Sequence, residues 1–239
     1  MARFDRVAVR YDRFCETPLG AFVESVEHRL LGELLELRPD DRVIDLGCGT
    51  GTFTLWMADI GCQVVGVDES EAMLSKARAK SVGRQSISWI LGDLSHLLWP
   101  TNTFDAALMQ VTLEFVDDPA SSLKEAWRVL KPGGRLVLGL IHGSGPWAHH
   151  YRLRAQSDPT SVYRGAHFWT LPELTELMGE SPARVAAGLY VGPGEFRTAD
   201  EAWLLETRYR RMRPLADAGF LAVRYDKDAS PMKERESIT

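Results

Sequence analysis

The sequence has little cysteine and no long hydrophobic run. Its 239 residues include three cysteines, Cys15, Cys48 and Cys62, and no two of them form a CxxC pair. This scarcity argues against a disulfide framework and against a zinc site of the usual spacing, and it is typical of a reducing compartment. No apolar run approaches the ~20 residues that a membrane-spanning helix needs, and the opening MARFDRVAVRYDRF lacks the apolar stretch of a secretory signal. We therefore expect a cytoplasmic protein.

An excess of positive charge is also missing. Lys and Arg number 28 against 33 Asp and Glu, which gives a formal net charge of -5. A chain with this balance does not attract nucleic acid or anionic membranes as a whole, so we expect neither as a partner. The basic run at residues 208–213 could contact phosphate or RNA, but the acidic overall balance favours the solvated face of a helix. The length favours one domain, as a monomer or a homodimer.

Two kinds of apolar segment alternate along residues 18–141. From Pro18 to Leu37, apolar residues recur at helical spacing. Short apolar runs, typical of buried strands, then alternate with helical patterns, and Ser70 is the expected N-cap of one helix. Asp118 and Pro119 are expected to open another helix, with proline at its first position. This alternation predicts a parallel sheet with helices on both faces. The five predicted strands are residues 43–46, 63–68, 87–91, 104–110 and 135–141.

Beyond residue 141 the pattern loosens. We expect helices at 172–178 and 201–215 and two further strands at 183–191 and 220–225, which makes seven in all. No linker marks a domain boundary, so residues 1–239 are interpreted as a single domain. Its parts are an N-terminal cap (1–38), a cofactor-binding core (39–145), a substrate-side half with the last strands (146–225) and a disordered tail (226–239).

A glycine cluster follows the first predicted strand and precedes a helix. Such a loop lets a ligand approach the backbone, and the helix start offers free N–H groups. A P-loop requires a lysine after its glycines, and none follows here. A dinucleotide fingerprint needs a third small residue at the position of Thr52, so the spacing is GxGxG instead. The remaining candidate ligand is S-adenosylmethionine, which needs a turn but no pyrophosphate cradle.

An acidic residue closes the second predicted strand. Asp68 lies 17 positions after Gly51, where a carboxylate can accept hydrogen bonds from both hydroxyls of a ribose. The alternative is that Asp68 only caps the following helix. The glycine loop upstream favours the ribose interpretation.

Five motifs together resemble one enzyme family. They are VIDLGCGTGTFT (43–54), VVGVDESEAML (64–74), GDL (92–94), FDAALMQVTLEFVDDP (104–119) and RVLKPGGRLVL (128–138). In order and spacing they resemble the class I S-adenosylmethionine-dependent methyltransferases, and specifically the branch that includes the ubiquinone and menaquinone biosynthesis enzymes. The resemblance implies a Rossmann-like α/β fold with a seven-stranded, mostly parallel sheet and an N-terminal helical cap. It also implies S-adenosylmethionine as cofactor, without indicating the substrate.

The resemblance also implies roles for individual residues. Asp68 would hold the ribose, Gln110 would lie under the cofactor, and Tyr11 would close over its methionine portion. Asp93, which follows Gly92, would accept a hydrogen bond from the adenine amino group, and the Leu94 amide would reach the ring. The residues implied around the methionine end are Asp45, Gly47, Cys48 and Gly49.

Two features depart from the family pattern. The residue after the ribose acid is often apolar and packs on adenine, whereas here it is Glu69, so Met73 or Leu94 would supply that contact. Many family members carry a His pair after the fourth strand, where this chain has Leu113-Glu114-Phe115. The chemistry on the substrate side therefore cannot be carried over from the family.

Methyl transfer to oxygen or carbon benefits from a general base. Glu114 follows the fourth predicted strand and His142 follows the fifth, and we take these two as the candidates, with His142 first because of its position. His149, His150 and His167 lie further along. Their spacing does not suit a metal, so no metal site is expected.

The acceptor predicted from these features is a small molecule. Nine aromatic residues flank the core motifs, and we hypothesise that several of them line an apolar acceptor pocket. One alternative is an RNA or protein methyltransferase, although the fourth strand lacks an NPPY-like motif. Another is a protein that binds S-adenosylmethionine without catalysis. The nine aromatic residues are Phe4, Tyr11, Phe14, Phe22, Trp147, Tyr151, Tyr163, Phe168 and Trp169.

Overall fold

The computed structural model describes residues 2–229, which form a seven-stranded sheet flanked by helices. The strand order is β3-β2-β1-β4-β5-β7-β6, and β1 to β5 run parallel while β7 is antiparallel to both its neighbours. This confirms the predicted α/β sheet. The strands are β1 (Arg42–Leu46), β2 (Gln63–Asp68), β3 (Ile87–Leu91), β4 (Phe104–Gln110), β5 (Leu130–Ile141), β6 (Arg184–Gly188) and β7 (Phe220–Asp226).

Helices begin where the sequence offers a capping side chain. Ser70 Oγ accepts a hydrogen bond from the Met73 amide at 3.2 Å, and the Asp118 carboxylate accepts one from Ser121 at 3.0 Å, so both expected N-caps are confirmed. The helices are α1 (Ala8–Tyr11), α2 (Pro18–Leu35), α3 (Thr52–Asp59), α4 (Glu71–Lys80), α5 (Pro119–Val129), α6 (Pro146–Ser157), α7 (Leu171–Met178) and α8 (Ala199–Met212).

The two faces of the sheet carry separate apolar cores. Along β5, Val137 packs with the apolar face of α2, whereas Leu136 and Leu138 pack with residues of α5 and α7. This alternation is the period of two that a strand imposes. The carboxyl ends of β1, β2 and β4 therefore meet at one edge of the sheet, between the two helical layers.

Several boundaries differ from the predictions. Helix α6 was not predicted, because it buries little apolar surface (Trp147 and Ala148) and so has no helical stripe to read. Strand β6 ends at Gly188 rather than at residue 191, since Leu189 adopts a left-handed φ of 56° that breaks the ladder. Helix α8 spans Ala199–Met212 rather than 201–215.

The start of the predicted tail is part of the fold. Asp226 ends β7, and the Lys227 ammonium donates to the carbonyls of Trp127 and Leu130 at 2.8 and 2.6 Å. Order therefore extends past residue 226, where the tail was expected to begin, and residues 230–239 of that tail lie outside the described residues. Within 2–229, no helix is both long and apolar enough to cross a membrane.

Candidate active site

The loop between β1 and α3 is built on left-handed glycines. Gly47, Gly49 and Gly51 have φ values of 76°, 54° and 84°, which side-chain-bearing residues rarely adopt. The amide of Gly47 donates to the Val67 carbonyl at 2.8 Å, which ties the loop to the end of β2. A Cβ on Gly49 would meet no atom within 4 Å, so the loop presents bare backbone to open space at this point. A ligand can approach the main chain there.

Asp68 organises this edge of the sheet. Its Oδ2 accepts a hydrogen bond from the Gly49 amide and its Oδ1 accepts one from the Ser70 amide, both at 2.8 Å. Burial raises the pKa of this carboxyl above its usual value. Each carboxylate oxygen has a second lone pair, so Asp68 can still accept from two ligand hydroxyls.

Asp45 lies at the end of β1 and is 2% exposed. Its Oδ2 accepts a 2.5 Å hydrogen bond from the Thr54 hydroxyl on α3. Burial, assisted by the charge of Asp68, raises the pKa of Asp45 to about 7. The hydrogen bond from Thr54 to this carboxyl ties the start of α3 to the end of β1. It also places an ionisable group, with a pKa of about 7, close to the methionine end of the predicted site.

A cleft of about 480 Å³ opens over the carboxyl ends of β1, β2 and β4. Asp93 lies at its far end, where Ser95 holds the pKa of the Asp93 carboxyl below its usual range through hydrogen bonds to its Oδ1. Asp45 and Cys48 face the adjoining cavity instead. The predicted cofactor residues that line the cleft are Tyr11, Gly47, Gly49, Asp68, Glu69, Met73, Gly92, Asp93, Leu94 and Gln110.

The N-terminal segment folds over this cleft. The Asp5 carboxylate accepts a 2.6 Å hydrogen bond from the Ser70 hydroxyl, at the start of α4. Phe4 packs edge-on against Phe115 with ring centroids 4.9 Å apart, and Tyr11 lies 6.2 Å from Phe4. The segment thus forms part of the wall of the cleft, through residues that include Phe4 and Tyr11.

A second cavity, of about 560 Å³, adjoins the first. The two share a wall of five residues, among which Val111 is unusual because this β-branched residue has a φ of 47°. Strain of this kind persists where the surroundings fix it, and it often marks functional positions. The shared wall consists of Tyr11, Gly47, Gly49, Gln110 and Val111.

Several aromatic side chains form part of the wall of the second cavity. Tyr151 of α6 stacks on Tyr163 with ring centroids 3.9 Å apart. Of the nine aromatic residues in the pocket hypothesis, Phe4 lines the cleft, whereas Phe22 and Phe168 lie in the core. Trp169 donates from its indole N–H to the Leu113 carbonyl at 3.2 Å. The five that line the second cavity are Tyr11, Phe14, Trp147, Tyr151 and Tyr163.

The structure adds an acidic residue that the sequence interpretation missed. Glu27 of α2 lines the second cavity, and its Oε2 accepts a 2.9 Å hydrogen bond from Gln110 Nε2. Removal from bulk water and the nearby Glu24 raise the pKa of Glu27 to about 8. The sequence did carry a signal: Glu27 lies four residues after Val23 and three before Leu30, so a charged residue interrupts the apolar stripe of α2.

The two predicted bases have other contacts. Glu114 is 2% exposed, its Oε1 accepts from the Ile141 amide at 2.7 Å, and burial raises its pKa to about 8. His142 is also buried and donates from Nδ1 to the Ala218 carbonyl at 3.0 Å, and burial lowers its pKa. Neither residue lines the cleft or the second cavity. Their hydrogen bonds join the ends of β4, β5 and β7, and a role of either residue as a base stays a prediction.

Two further histidines of the sequence analysis have defined surroundings. His150 lines the second cavity, and His167 lies 3.5 Å from Glu173 at the start of α7. Residues 2–229 contain no group of three or more His, Cys, Asp or Glu able to hold a metal ion.

The fold and the cleft define a class of protein. A glycine loop after β1 and acids after β2 and β3, on a sheet that reverses its order at β1, form a nucleoside-binding site. The open space at Gly49 and the free lone pairs of Asp68 fit the amino-acid end and the ribose of S-adenosylmethionine, and the surrounding carboxylates suit its positive sulfonium.

Comparisons with known proteins agree with this class. Residues 44–138 match the family described as a methyltransferase domain. The chain is 36% identical over 182 residues to a demethylmenaquinone methyltransferase of Tropheryma whipplei, a match that covers 75% of this chain and 70% of that protein. It is 35% identical over 200 residues to an uncharacterised protein of Mycobacterium bovis, covering 82% of this chain and 66% of that protein's length.

A solved structure from Thermotoga maritima, described as a possible histamine N-methyltransferase, superposes with a TM-score of 0.72 at 26% identity and covers 95% of this chain and 98% of its own. The chain belongs to the class I S-adenosylmethionine-dependent methyltransferases, in the ubiquinone and menaquinone-like branch. S-adenosylmethionine is the cofactor of that family.

Proposed function

We propose that this protein transfers a methyl group from S-adenosylmethionine to a small, largely apolar, ring-bearing molecule held in the second cavity. One observation carries the proposal: the cofactor cleft and the second cavity meet at a shared wall that includes Tyr11 and Gln110. A methyl donor in one and an acceptor in the other would face each other across that wall.

The relatives support an acceptor of this size. The Tropheryma whipplei relative is named for a small-molecule acceptor, and so is the Thermotoga maritima structure. A cavity of about 560 Å³ lies in the range that holds drug-sized ligands, and a mostly apolar wall that includes aromatic rings and some polar groups is typical of such sites.

The chain's own residues would act mainly by positioning. When bound, S-adenosylmethionine supplies an electrophilic methyl carbon that needs no further activation. Asp68 and Asp93 would hold its nucleoside, the loop at Gly49 would hold its amino-acid end, and the N-terminal segment would exclude water. Alignment of nucleophile, methyl carbon and sulfur can contribute several kcal/mol, with an upper range of about 7–11 kcal/mol.

The test measures transfer of a radiolabelled methyl group to four probes. These are reduced demethylmenaquinone and histamine as small acceptors, and bulk transfer RNA and a histone mixture as macromolecules. Label in a small probe, and not in acid-precipitable material, is the expected result. An Asp68→Ala variant serves as the control for cofactor-dependent transfer.

The other outcomes separate the alternatives. Label confined to RNA or histone would contradict the small-molecule acceptor and favour a macromolecular substrate. Tight binding of S-adenosylhomocysteine without transfer to any probe would favour a protein that binds the cofactor without catalysis. Absence of S-adenosylhomocysteine binding would contradict the cofactor site itself.

A further inference from the structure

Glu27 brings a carboxyl group to the wall of the second cavity. Its helix, α2, packs against β5, β6 and β7, so the inner stripe of the helix faces the sheet. Val23, Val26 and Leu30 of that stripe are buried, whereas Glu27 remains partly accessible, and the space it reaches is the cavity. A carboxyl group in this position is costly unless it has partners.

One of its oxygens is held and the other is free. Gln110 Nε2 donates to Glu27 Oε2 at 2.9 Å, and the Gln110 amide is itself packed against Gly139, where a Cβ would lie 1.8 Å from its Oε1. Among residues 2–229, no hydrogen bond reaches Glu27 Oε1. Gln110 belongs to the wall shared with the cofactor cleft. Glu27 is therefore hydrogen-bonded to a residue that lies where the two cavities meet, and its free oxygen is on the side chain that makes this contact.

The surroundings suit a neutral aromatic ligand. Tyr151 and Tyr163 form a stacked pair in the wall, and flat rings pack well against such surfaces. The charged groups on the cavity wall are of both signs, with Arg154 basic and Glu24 and Asp45 acidic, and the sulfonium of a bound cofactor would add a positive charge at the shared wall. A ring that carries a hydrogen-bond donor without a net charge of its own therefore fits this cavity.

We propose that Glu27 is a catalytic residue that accepts a hydrogen bond from a hydroxyl group on an aromatic acceptor and receives its proton during methyl transfer. This inference rests on the proposed function. The acceptor oxygen forms its new bond to the methyl carbon as the O–H bond breaks. The carbon–sulfur bond breaks with its electron pair remaining on the sulfur of S-adenosylhomocysteine, and the proton passes to Glu27 and then to water.

The raised pKa of Glu27, about 8, supports this role. A carboxyl group that titrates near neutral pH can take up a proton and release it within each cycle, which is the condition for efficient general-base catalysis. An ordinary glutamate, with a pKa of about 4.3, would be a much weaker base.

The first test is binding, measured by calorimetry at about pH 9, where a carboxyl group with a pKa of about 8 is mostly ionised, in the presence of saturating S-adenosylhomocysteine. The probes are 1-naphthol, 1-methoxynaphthalene, which lacks the O–H donor, and 1-naphthylmethylamine, which is cationic. Wild-type protein is expected to prefer 1-naphthol over the methoxy compound by about tenfold or more. Glu27→Leu is expected to lose this preference, while Glu33→Gln, on the exposed face of the same helix, keeps it.

The second test is single-turnover transfer of a labelled methyl group to 1-naphthol. Glu27→Gln keeps the shape of the side chain, so 1-naphthol should still bind within a few-fold while transfer slows by ~100-fold or more. Glu33→Gln should transfer at the wild-type rate.

Several results would overturn the proposal. In the binding test, these are a preference for 1-naphthol that survives in Glu27→Leu, or a preference for the amine that depends on Glu27. In the transfer test, they are a wild-type transfer rate in Glu27→Gln, or no transfer by wild-type protein although 1-naphthol binds in a Glu27-dependent way. If neither ring compound binds while S-adenosylhomocysteine does, the ring-bearing acceptor is wrong and this proposal falls with it. Failure of S-adenosylhomocysteine itself to bind would instead contradict the proposed function.

Discussion

Asp12 of the N-terminal segment accepts a 2.5 Å hydrogen bond from the hydroxyl of Thr50, which lies in the glycine loop. The same carboxylate oxygen also accepts from the Lys80 ammonium at 3.0 Å, at the end of α4. One side chain of the cap is thus attached to the two elements that form the floor and one side of the cofactor cleft. Release of the cap and release of the cofactor should therefore be coupled.

Thr50→Val tests this coupling, because it removes the hydroxyl and keeps the shape of the side chain. Loss of a hydrogen bond to a charged group costs about 1.5–3 kcal/mol, so S-adenosylhomocysteine should dissociate roughly tenfold faster or more. Stopped-flow measurement of the dissociation rate checks this. Lys80→Ala is the matched control, since its ion pair is solvent-exposed and contributes ~1 kcal/mol or less. Equal rates in wild type and Thr50→Val would show that the cap does not gate the cofactor.

Asp68→Ala should weaken S-adenosylhomocysteine binding by roughly 30- to 1000-fold, which corresponds to about 2–4 kcal/mol. The carboxylate would hold the ribose, and it also fixes the amides of Gly49 and Ser70, so both the ligand contact and the loop geometry are lost. Titration calorimetry gives the affinity. Glu71→Ala is the control, because Glu71 is a nearby exposed acid at the start of α4 that does not line the cleft. A similar small loss in both variants would contradict the ribose role of Asp68.

Gly139→Ala should disturb the site without touching either ligand directly. The new Cβ would lie 1.8 Å from Gln110 Oε1 and 2.9 Å from Phe220 Cζ, so the Gln110 side chain, which donates to Glu27, must shift. We expect methyl transfer to fall by about tenfold or more, with a loss of ~1–3 kcal/mol in the free energy of unfolding from overpacking.

Transfer kinetics and urea denaturation measure these two effects of Gly139→Ala. Gly194→Ala is the matched control, since a Cβ there meets no atom within 4 Å. Full activity in Gly139→Ala would show that the position of Gln110 is unimportant.

Glu114 should make the protein less stable as the pH rises. Burial raises the pKa of this carboxyl from 4.5 to about 8, so between these values the folded state keeps a proton that the unfolded state has released. Its stabilising contribution is complete below about pH 4.5 and is lost as the pH rises through about 8. Glu114→Gln removes this titration, while Glu27 and Asp45, whose pKa values are also raised, remain in both proteins.

The Glu114 prediction is checked by urea denaturation at several pH values. The free energy of unfolding of wild type should fall relative to that of Glu114→Gln by about 4 kcal/mol between about pH 5 and pH 9. Parallel pH profiles for the two proteins would mean that Glu114 titrates normally and is not shielded from water.

The cofactor side of the site could be predicted because its chemistry is local in sequence. A turn with three left-handed positions requires glycine at Gly47, Gly49 and Gly51, and these lie within five residues of one another. Asp68 is the last residue of β2 and Asp93 lies two residues after β3, and parallel strands end at the same edge. Strand and helix periods, with capping residues such as Ser70, likewise follow from short-range physics.

The acceptor side could not be predicted in the same way. Glu114 and His142 both follow strand ends, as a base would, but the direction of each side chain is decided by buried backbone groups at Ile141 and Ala218 that need partners. Helix α6 supplies Trp147 and Tyr151 to the cavity without any stripe that periodicity could detect.

The sequence by itself therefore determined the parallel sheet, the glycine loop and the acids at the strand ends, because each depends on neighbours within a few positions. Only the tertiary structure decided which polar groups face the acceptor. Glu27 and Gln110 are 83 residues apart in the chain, and their hydrogen bond exists because α2 packs across the sheet and turns one carboxyl of its inner face toward the end of β4. Contacts of that range follow from how the layers pack, which no local pattern specifies.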